Sequence, residues 1–347
     1  MKAQDSLIYQ KIQKANNVHQ PLFATLEITQ VCNLACKHCY NFDRTVAIST
    51  DKKSSIMSFE DTLYCMDQLR EVGSLWLNLT GGEPLTHPDI LSIIKEAKER
   101  NFLVRLKTNG LLLNEKMAKQ LKEAGLDAVE ISLYGSDEET YRLITQREGH
   151  EKTLGGIDQA VKMGFDTNAS IILHKYNTDQ LQLMIDKVIA LKAGFQVSTE
   201  ITSRYDGTHT SRDYELNSDQ MKSLLESHHD LFMFENKDHL LQCSCAKTVI
   251  AIGYDGVIYP CIGAPIKVGH IKDSPLVDQW KNSDVFQKIR NLKTEDFKEC
   301  QKCDFLDFCS RSSGSIYANT GNYTGCDSQT LEVSRLRSQS VKDLSKQ

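Results

Sequence analysis

Residues 24–40 read ATLEITQVCNLACKHCY. The run 24–30 is short, apolar and rich in β-branched residues, the signature of a buried strand. Cys32, Cys36 and Cys39 follow at once, in the spacing C-x3-C-x2-C. This places the three thiols in a loop at a strand's C-terminal end, where parallel α/β folds keep their active sites. Three close thiolates can hold three irons of a four-iron cube and leave the fourth iron open, as a catalytic metal requires. A zinc ion is the alternative, with His38 as the local candidate for its fourth ligand. Loop cysteines without any metal are the third reading.

Outward from this loop the same unit recurs. Strand-like runs follow at SLWLNLTG (74–81), LVRLKTN (103–109), AVEISLYG (128–135), TNASIIL (167–173) and FQVSTEI (195–201). Between them lie amphipathic stretches: SFEDTLYCMDQLREVG (58–73), with a Ser cap, HPDILSIIKEAKERN (87–101), NEKMAKQLKEAG (114–125), EKTLGGIDQAVKMG (151–164) and DQLQLMIDKVIALKAG (179–194). Several end in Gly, which a helix C′ position favours. Six β/α repeats predict an α/β fold with a parallel sheet and right-handed crossovers, either an open doubly wound sheet or a TIM-type barrel, full or partial. No G-x-G-x-x-G follows the first strand, which weakens a dinucleotide-binding version. From Arg204 the sequence RYDGTHTSRDYELNSDQ is polar and turn-rich and reads as a domain boundary. A helix over 218–234 and a hairpin over 249–260, turning at Asp255-Gly256, are predicted next. The tail from Glu332 reads as a polar helix or a frayed end.

Eleven cysteines in 347 residues fall far below the density of a small disulfide scaffold. A chain of this length can bury a large core and hold more than one domain. The charged fraction of 25% and apolar fraction of 40% are ordinary for a globular protein, and the net charge of −5 argues against a general binder of nucleic acid or anionic membrane. No apolar run approaches the length of a membrane-spanning helix, and MKAQDSLIYQKIQKANN lacks the apolar core of a secretory signal. A cytoplasmic location is therefore expected, where thiols stay reduced and many cysteines point to metals or catalysis. Cys65, inside the first amphipathic stretch, reads as a packed core thiol. The remaining seven lie between 243 and 326. Cys300-x2-Cys303-x5-Cys309 and Cys326 give four thiolates, and Cys245-x10-Gly256-x4-Cys261 spans the hairpin. Structural zinc is the alternative for the four-thiolate set.

The order of these motifs resembles the radical SAM superfamily. The cysteine loop matches its cluster motif, and Thr80-Gly81-Gly82-Glu83-Pro84 after the second strand resembles its GGEP motif. The resemblance implies a 4Fe-4S cluster on Cys32, Cys36 and Cys39 with S-adenosyl-L-methionine (SAM) bound at the open iron. It also implies a SAM pocket built from Tyr40, from Thr80 to Pro84, and from Thr108 and Asn109 in the KTNG run. Ser132 would meet the ribose and carboxylate, Ile171, Ile172 and Leu173 at the end of the fifth strand would give an apolar surface near the adenine, and Arg147 would meet the carboxylate. The position of His38 is usually aromatic in the family. Implied chemistry is reductive cleavage of SAM to methionine and a 5′-deoxyadenosyl radical that removes a substrate hydrogen, with a flavodoxin or ferredoxin as electron donor.

The late cysteines resemble the SPASM extension of this superfamily. That resemblance implies an auxiliary 4Fe-4S cluster on Cys300, Cys303, Cys309 and Cys326. It implies a second cluster, 4Fe-4S or 2Fe-2S, at Cys245 and Cys261, but the last cysteine of the pattern is Ser313 here. Cys243 is the spare: a third ligand, a hydrogen-atom donor or a bystander. The expected organisation is an N-terminal extension (1–21), a partial (β/α)6 barrel (22–215), a bridging segment (216–242), a small α+β auxiliary-cluster domain (243–331) and a tail (332–347). SPASM enzymes mostly modify peptides, so a ribosomally made precursor peptide is the implied substrate, with a separate leader-recognition protein as a further partner. The product would be a cross-link, thioether, epimer or oxidised residue. A sulfatase-maturase-like oxidase is an alternative, though Ile262 stands where those enzymes carry Asp. A small-molecule dehydrogenase is another, and outside the enzymes a zinc-binding interaction protein. Tyr205 and Asp206, beside Arg204, are expected at the barrel mouth on the substrate side, as is Tyr134. Adjacent His228 and His229 lack metal spacing and read as solvated.

Overall fold

Strand β1 (Phe23–Thr29) is buried along all but its first residue, so both of its faces are covered. Its polar residues Thr25, Glu27 and Thr29 are buried along with its apolar ones, as expected for a central parallel strand. The computed structural model describes residues 7–44, 55–236, 241 and 243–344. Five further strands follow β1 in parallel register: β2 (Trp76–Gly81), β3 (Leu103–Thr108), β4 (Ala128–Leu133), β5 (Asp166–Ile172) and β6 (Gly194–Ser198). All six lie within two residues of the predicted starts.

An N-terminal helix, α1 (Leu7–Asn17), precedes the sheet. The connecting helices then run in order: α2 (Phe59–Glu71), α3 (Ile90–Glu99), α4 (Glu115–Glu123), α5 (Glu138–Thr145), α6 (His150–Lys162) and α7 (Leu181–Ala190). Ser58 caps α2 by accepting from the Asp61 N–H at 3.0 Å, and Cys65, Met66 and Leu69 are buried against the sheet. Cys65 is thus a core thiol, 1% exposed. Helix α5 has no counterpart in the sequence prediction. Asp137 caps it, accepting from the Thr140 N–H at 2.8 Å, and it ends at Gln146 in the left-handed conformation.

The helix predicted over 218–234 divides at His228 into α8 (Ser218–Ser227) and the single turn α9 (His229–Phe232). Of the bridging segment 216–242, residues 237–240 and 242 lie outside the described residues. The predicted hairpin forms as β7 (Val249–Ile252) and β8 (Val257–Tyr259), with Gly256 at φ +80°, and β9 (Gly269–His270) extends it. Strand β7 also pairs in parallel with β1. Among the described residues one sheet therefore runs β6-β5-β4-β3-β2-β1-β7-β8-β9, open at both edges, and crosses from the barrel repeats into the cysteine-rich segment. Helices α10 (Leu276–Asn282), α11 (Asp284–Arg290), α12 (Ser313–Thr320) and α13 (Ser328–Leu344) follow, so the tail is helical through Leu344. Trp280 of α10 donates to the His19 carbonyl at 2.6 Å and fastens the N-terminal segment.

Candidate active site and cluster sites

The C-terminal ends of the barrel strands enclose a cavity of about 370 Å³. Its wall is built by close backbone contact. The Gly82 N–H donates to the Thr29 carbonyl at 2.6 Å and the Glu83 N–H to the Val31 carbonyl at 2.8 Å. A Cβ on Gly81 would stand 2.0 Å from the Thr29 oxygen, and one on Gly82 2.3 Å from the Val31 oxygen. Both positions need glycine because the GGE turn lies against the start of the cysteine loop. Glu83 is fully buried, and its carboxylate accepts from the Leu85 N–H, the Thr108 hydroxyl and the Asn109 N–H. Pro84 opens a short 3-10 turn beside it.

Cys32, Cys36 and Cys39 share one side of the cavity. The loop that carries them is held by the end of α5: the Ala35 and Lys37 N–H groups donate to the Thr145 and Ile144 carbonyls at 3.0 and 2.9 Å. The Arg204 guanidinium, 3% exposed, donates to the Lys37 carbonyl at 2.9 Å from the far side. Arg44 donates to the Cys39 thiol at 3.1 Å and to the Gln30 carbonyl at 3.0 Å. Burial pushes the Cys32 thiol up to about 11 and the Cys36 thiol well above its ordinary range, with Arg44 opposing both shifts. A bound metal reverses that penalty, since a coordinated thiol is deprotonated outright. The donor set fits an iron–sulfur cluster, which spreads its ligands over several irons. Among the described residues no three His, Cys, Asp or Glu side chains are set to hold one metal ion. Buried polar atoms without partners, His38 Nδ1 and Asn41 Oδ1, also face this space, as a polar ligand there would require. His38 packs against Tyr134, with ring centroids 5.1 Å apart, and burial lowers it to about 3, so it serves as a neutral ring.

Most of the expected SAM-pocket residues converge. Tyr40, Thr80, Gly81, Gly82, Thr108, Asn109 and Ser132 line the cavity. Leu173 does not: it is fully buried in the core, and its neighbour Ile172 faces the cavity. Alternation along a strand puts the two on opposite faces. Arg147 is exposed in the turn after α5, bonded to the Gln146 carbonyl at 2.9 Å, and is not on the wall. Asp206 is also exposed, folded back on the Thr208 N–H and hydroxyl at 2.9 and 2.7 Å in a turn with Gly207. Tyr205 does reach the cavity. Its hydroxyl donates to the Ile262 carbonyl, and its ring meets those of Tyr40 and Tyr259 at 5.4 and 5.9 Å. Tyr134 lines the cavity too.

The late cysteines form two groups. Cys300, Cys303, Cys309 and Cys326 surround a smaller cavity of about 230 Å³. Cys245 and Cys261 approach to 2.9 Å between sulfurs, and Cys243 lies beside them, its thiol 3.4 Å from the Tyr323 hydroxyl. The backbone N–H groups of Cys245 and Ser313 point at the Cys243 thiol. Ser313 is fully buried and accepts from Arg311 at 2.9 Å. Arg311 also donates to the Leu241, Tyr323 and Gly325 carbonyls, tying the two groups together. Arg44, Arg311 and Glu200 were absent from the expected site, and of the three apolar residues expected near the adenine only Ile172 lines the cavity.

Residues 26–188 match the model of the radical SAM superfamily. The chain belongs to that superfamily and is a radical SAM family enzyme. Within it the chain carries a SPASM iron–sulfur cluster-binding domain, matched over residues 243–304. These domains imply iron–sulfur clusters and SAM as cofactors. One curated relative is the AdoMet-dependent heme synthase of Methanosarcina barkeri, 25% identical over 336 residues that cover 87% of this chain and 94% of the relative. Two solved structures share the fold. Streptococcus suis SuiB bound to precursor peptide SuiA is 18% identical, covering 93% of this chain and 78% of SuiB, with a TM-score of 0.63. The anSMEcpe enzyme with bound AdoMet and Kp18Cys peptide is 15% identical, covering 92% of this chain and 99% of that one, with a TM-score of 0.64. Among the described residues no helix is long and apolar enough to cross a membrane.

Proposed function

We propose that this enzyme matures a precursor peptide by radical chemistry at the barrel mouth. When bound, the first cluster and SAM would supply the chemistry, a one-electron reductive cleavage of SAM that yields a hydrogen-abstracting radical for the peptide. The chain's part is to hold and orient. Cys32, Cys36 and Cys39 would ligate the first cluster. The Gly81–Gly82 backbone, Asn109 and Ser132 would position SAM, and Tyr134 and Ile172 would wall the reacting end from water. Cys300, Cys303, Cys309 and Cys326 would hold an auxiliary 4Fe-4S cluster, and Cys243, Cys245 and Cys261 a second one with an open position at Ser313. A flavodoxin or ferredoxin would supply electrons, and a separate protein would recognise the leader of the peptide.

One observation carries the choice of a peptide: the charge of the cavity wall. Its described cations are Lys107 and Arg44. Lys107 is paired with Glu130 at 2.8 Å, and Arg44 is engaged with Cys39 and Gln30. What faces the remaining space is a set of hydroxyls and carbonyls with the carboxylate of Glu200. Such a wall suits amides and ammonium groups, not a multiply carboxylated ligand. The heme synthase relative favours a second reading, a tetrapyrrole substrate, because the similarity spans most of both chains. Incubating the reconstituted enzyme with SAM, dithionite and a peptide encoded by a neighbouring small open reading frame separates the two. A mass change in the peptide supports maturation. Conversion of a polycarboxylated porphyrin, with the peptide untouched, supports the second reading.

A further inference from the structure

Glu200 stands two residues beyond β6, on the wall that joins the barrel rim to α12. It is exposed to the cavity, and its own N–H donates to the Ser198 hydroxyl at 3.2 Å. Its carboxylate accepts from the Ser315 hydroxyl. Ser203 extends the same seam, donating from its N–H and hydroxyl to the Asn319 side-chain carbonyl at 2.9 and 3.1 Å. Asn319 is itself anchored, donating to Asp327 at 2.7 Å. The seam fixes Glu200 against a helix whose first residue is Ser313, and Ser313 touches Cys243. Among the described residues no basic side chain is bonded to Glu200. It is the carboxylate on the wall that Lys107 and Arg105 do not neutralise, since both of those lie at Glu130.

We propose that Glu200 selects the substrate by charge, receiving a cationic side chain of the peptide, a lysine or arginine, between the SAM pocket and the Cys243 site. This rests on the peptide reading above. The walls that surround Glu200 raise its carboxyl by desolvation, and the Ser315 hydroxyl opposes that rise. A cation brought into this space lowers the cost of its charge, and a carboxylate raises it. The bond would be charge-assisted, the stronger class of hydrogen bond.

The test uses the reconstituted, SAM-loaded holoenzyme and a pooled library of capped heptapeptides, with retained sequences read by mass spectrometry. The wild type is expected to enrich Lys and Arg over Asp and Glu by roughly tenfold or more, the size of one charge-assisted bond. E200Q keeps the shape of the side chain and should lose the enrichment. E200K should reverse it, and E200D, which keeps the charge, should keep it. Equal enrichment in wild type and E200Q, or none in either while peptides are retained, overturns the role of Glu200 and leaves the peptide reading standing. Retention of a polycarboxylated porphyrin but of no peptide overturns both.

Discussion

The carboxylate of Glu83 accepts the backbone N–H of Asn109 at 2.8 Å. Through this bond, and a second from the Thr108 hydroxyl at 2.7 Å, the turn after β2 fixes the turn after β3. With the Leu85 N–H, which also donates to this carboxylate, replacing Glu83 with Ala leaves three buried donors without partners, at about 1–3 kcal/mol each. The Glu83→Ala enzyme should bind SAM at least roughly tenfold more weakly, read by equilibrium dialysis of the reconstituted protein. Glu83→Gln should fall between wild type and Glu83→Ala, because its amide oxygen can replace one carboxylate oxygen while its NH2 opposes the donors at the other.

Gly82 lies where a Cβ would meet the Val31 and Gln30 carbonyl oxygens at 2.3 and 2.6 Å. These are backbone atoms of the segment leading into the cysteine loop, so neither can step aside without moving Cys32. Gly82→Ala should lower the iron bound at the first site while the iron at the late cysteines is retained. Iron and sulfide analysis with electron paramagnetic resonance separates the two populations.

Glu27 is 1% exposed, and burial raises its carboxyl to about 8, opposed by the Tyr40 hydroxyl at 3.3 Å. The folded protein therefore holds this proton more tightly than the unfolded chain does. Its contribution is fully present below the ordinary value of 4.5 and is lost as pH rises toward about 8. Glu27→Gln removes the titration and keeps an acceptor for Tyr40. The melting temperature of the wild type should fall relative to Glu27→Gln as pH increases across that window. A constant difference would show that Glu27 is not held protonated.

Much of this architecture was legible because it is local. The β-branched runs gave the six strands, and Ser58 marked the start of its helix as a cap. The cysteine spacings placed the thiols on the correct loops. What failed was decided by facing or by distant pairing. Leu173 and Ile172 are chemically alike, and only the strand's register puts Ile172 on the cavity. Arg147 and Asp206 sit in turns whose local hydrogen bonds turn them to solvent. Helix α5 is only eight residues long and shows no long apolar period, yet its last carbonyls hold the cysteine loop. The pairing of β7 with β1 spans more than two hundred residues and has no sequence signature. Glu200 and Arg311 gained their places the same way, from contacts far along the chain.

The two cysteine groups should be separable by function. Cys32→Ala, Cys36→Ala or Cys39→Ala should reduce 5′-deoxyadenosine formation to background. Cys300→Ala should lower it far less than it lowers conversion of the peptide. Equal losses in both assays would mean that the four-thiolate site supports the fold of the whole enzyme and not the later steps on substrate.

The most direct measurement follows hydrogen from substrate to product. The reconstituted enzyme is given SAM, dithionite and a fully deuterated precursor peptide, and the 5′-deoxyadenosine is analysed by mass spectrometry. The account predicts that the product gains one deuterium, in step with the modified peptide. Unlabelled 5′-deoxyadenosine beside an unchanged peptide, from enzyme with all its clusters in place, would contradict it.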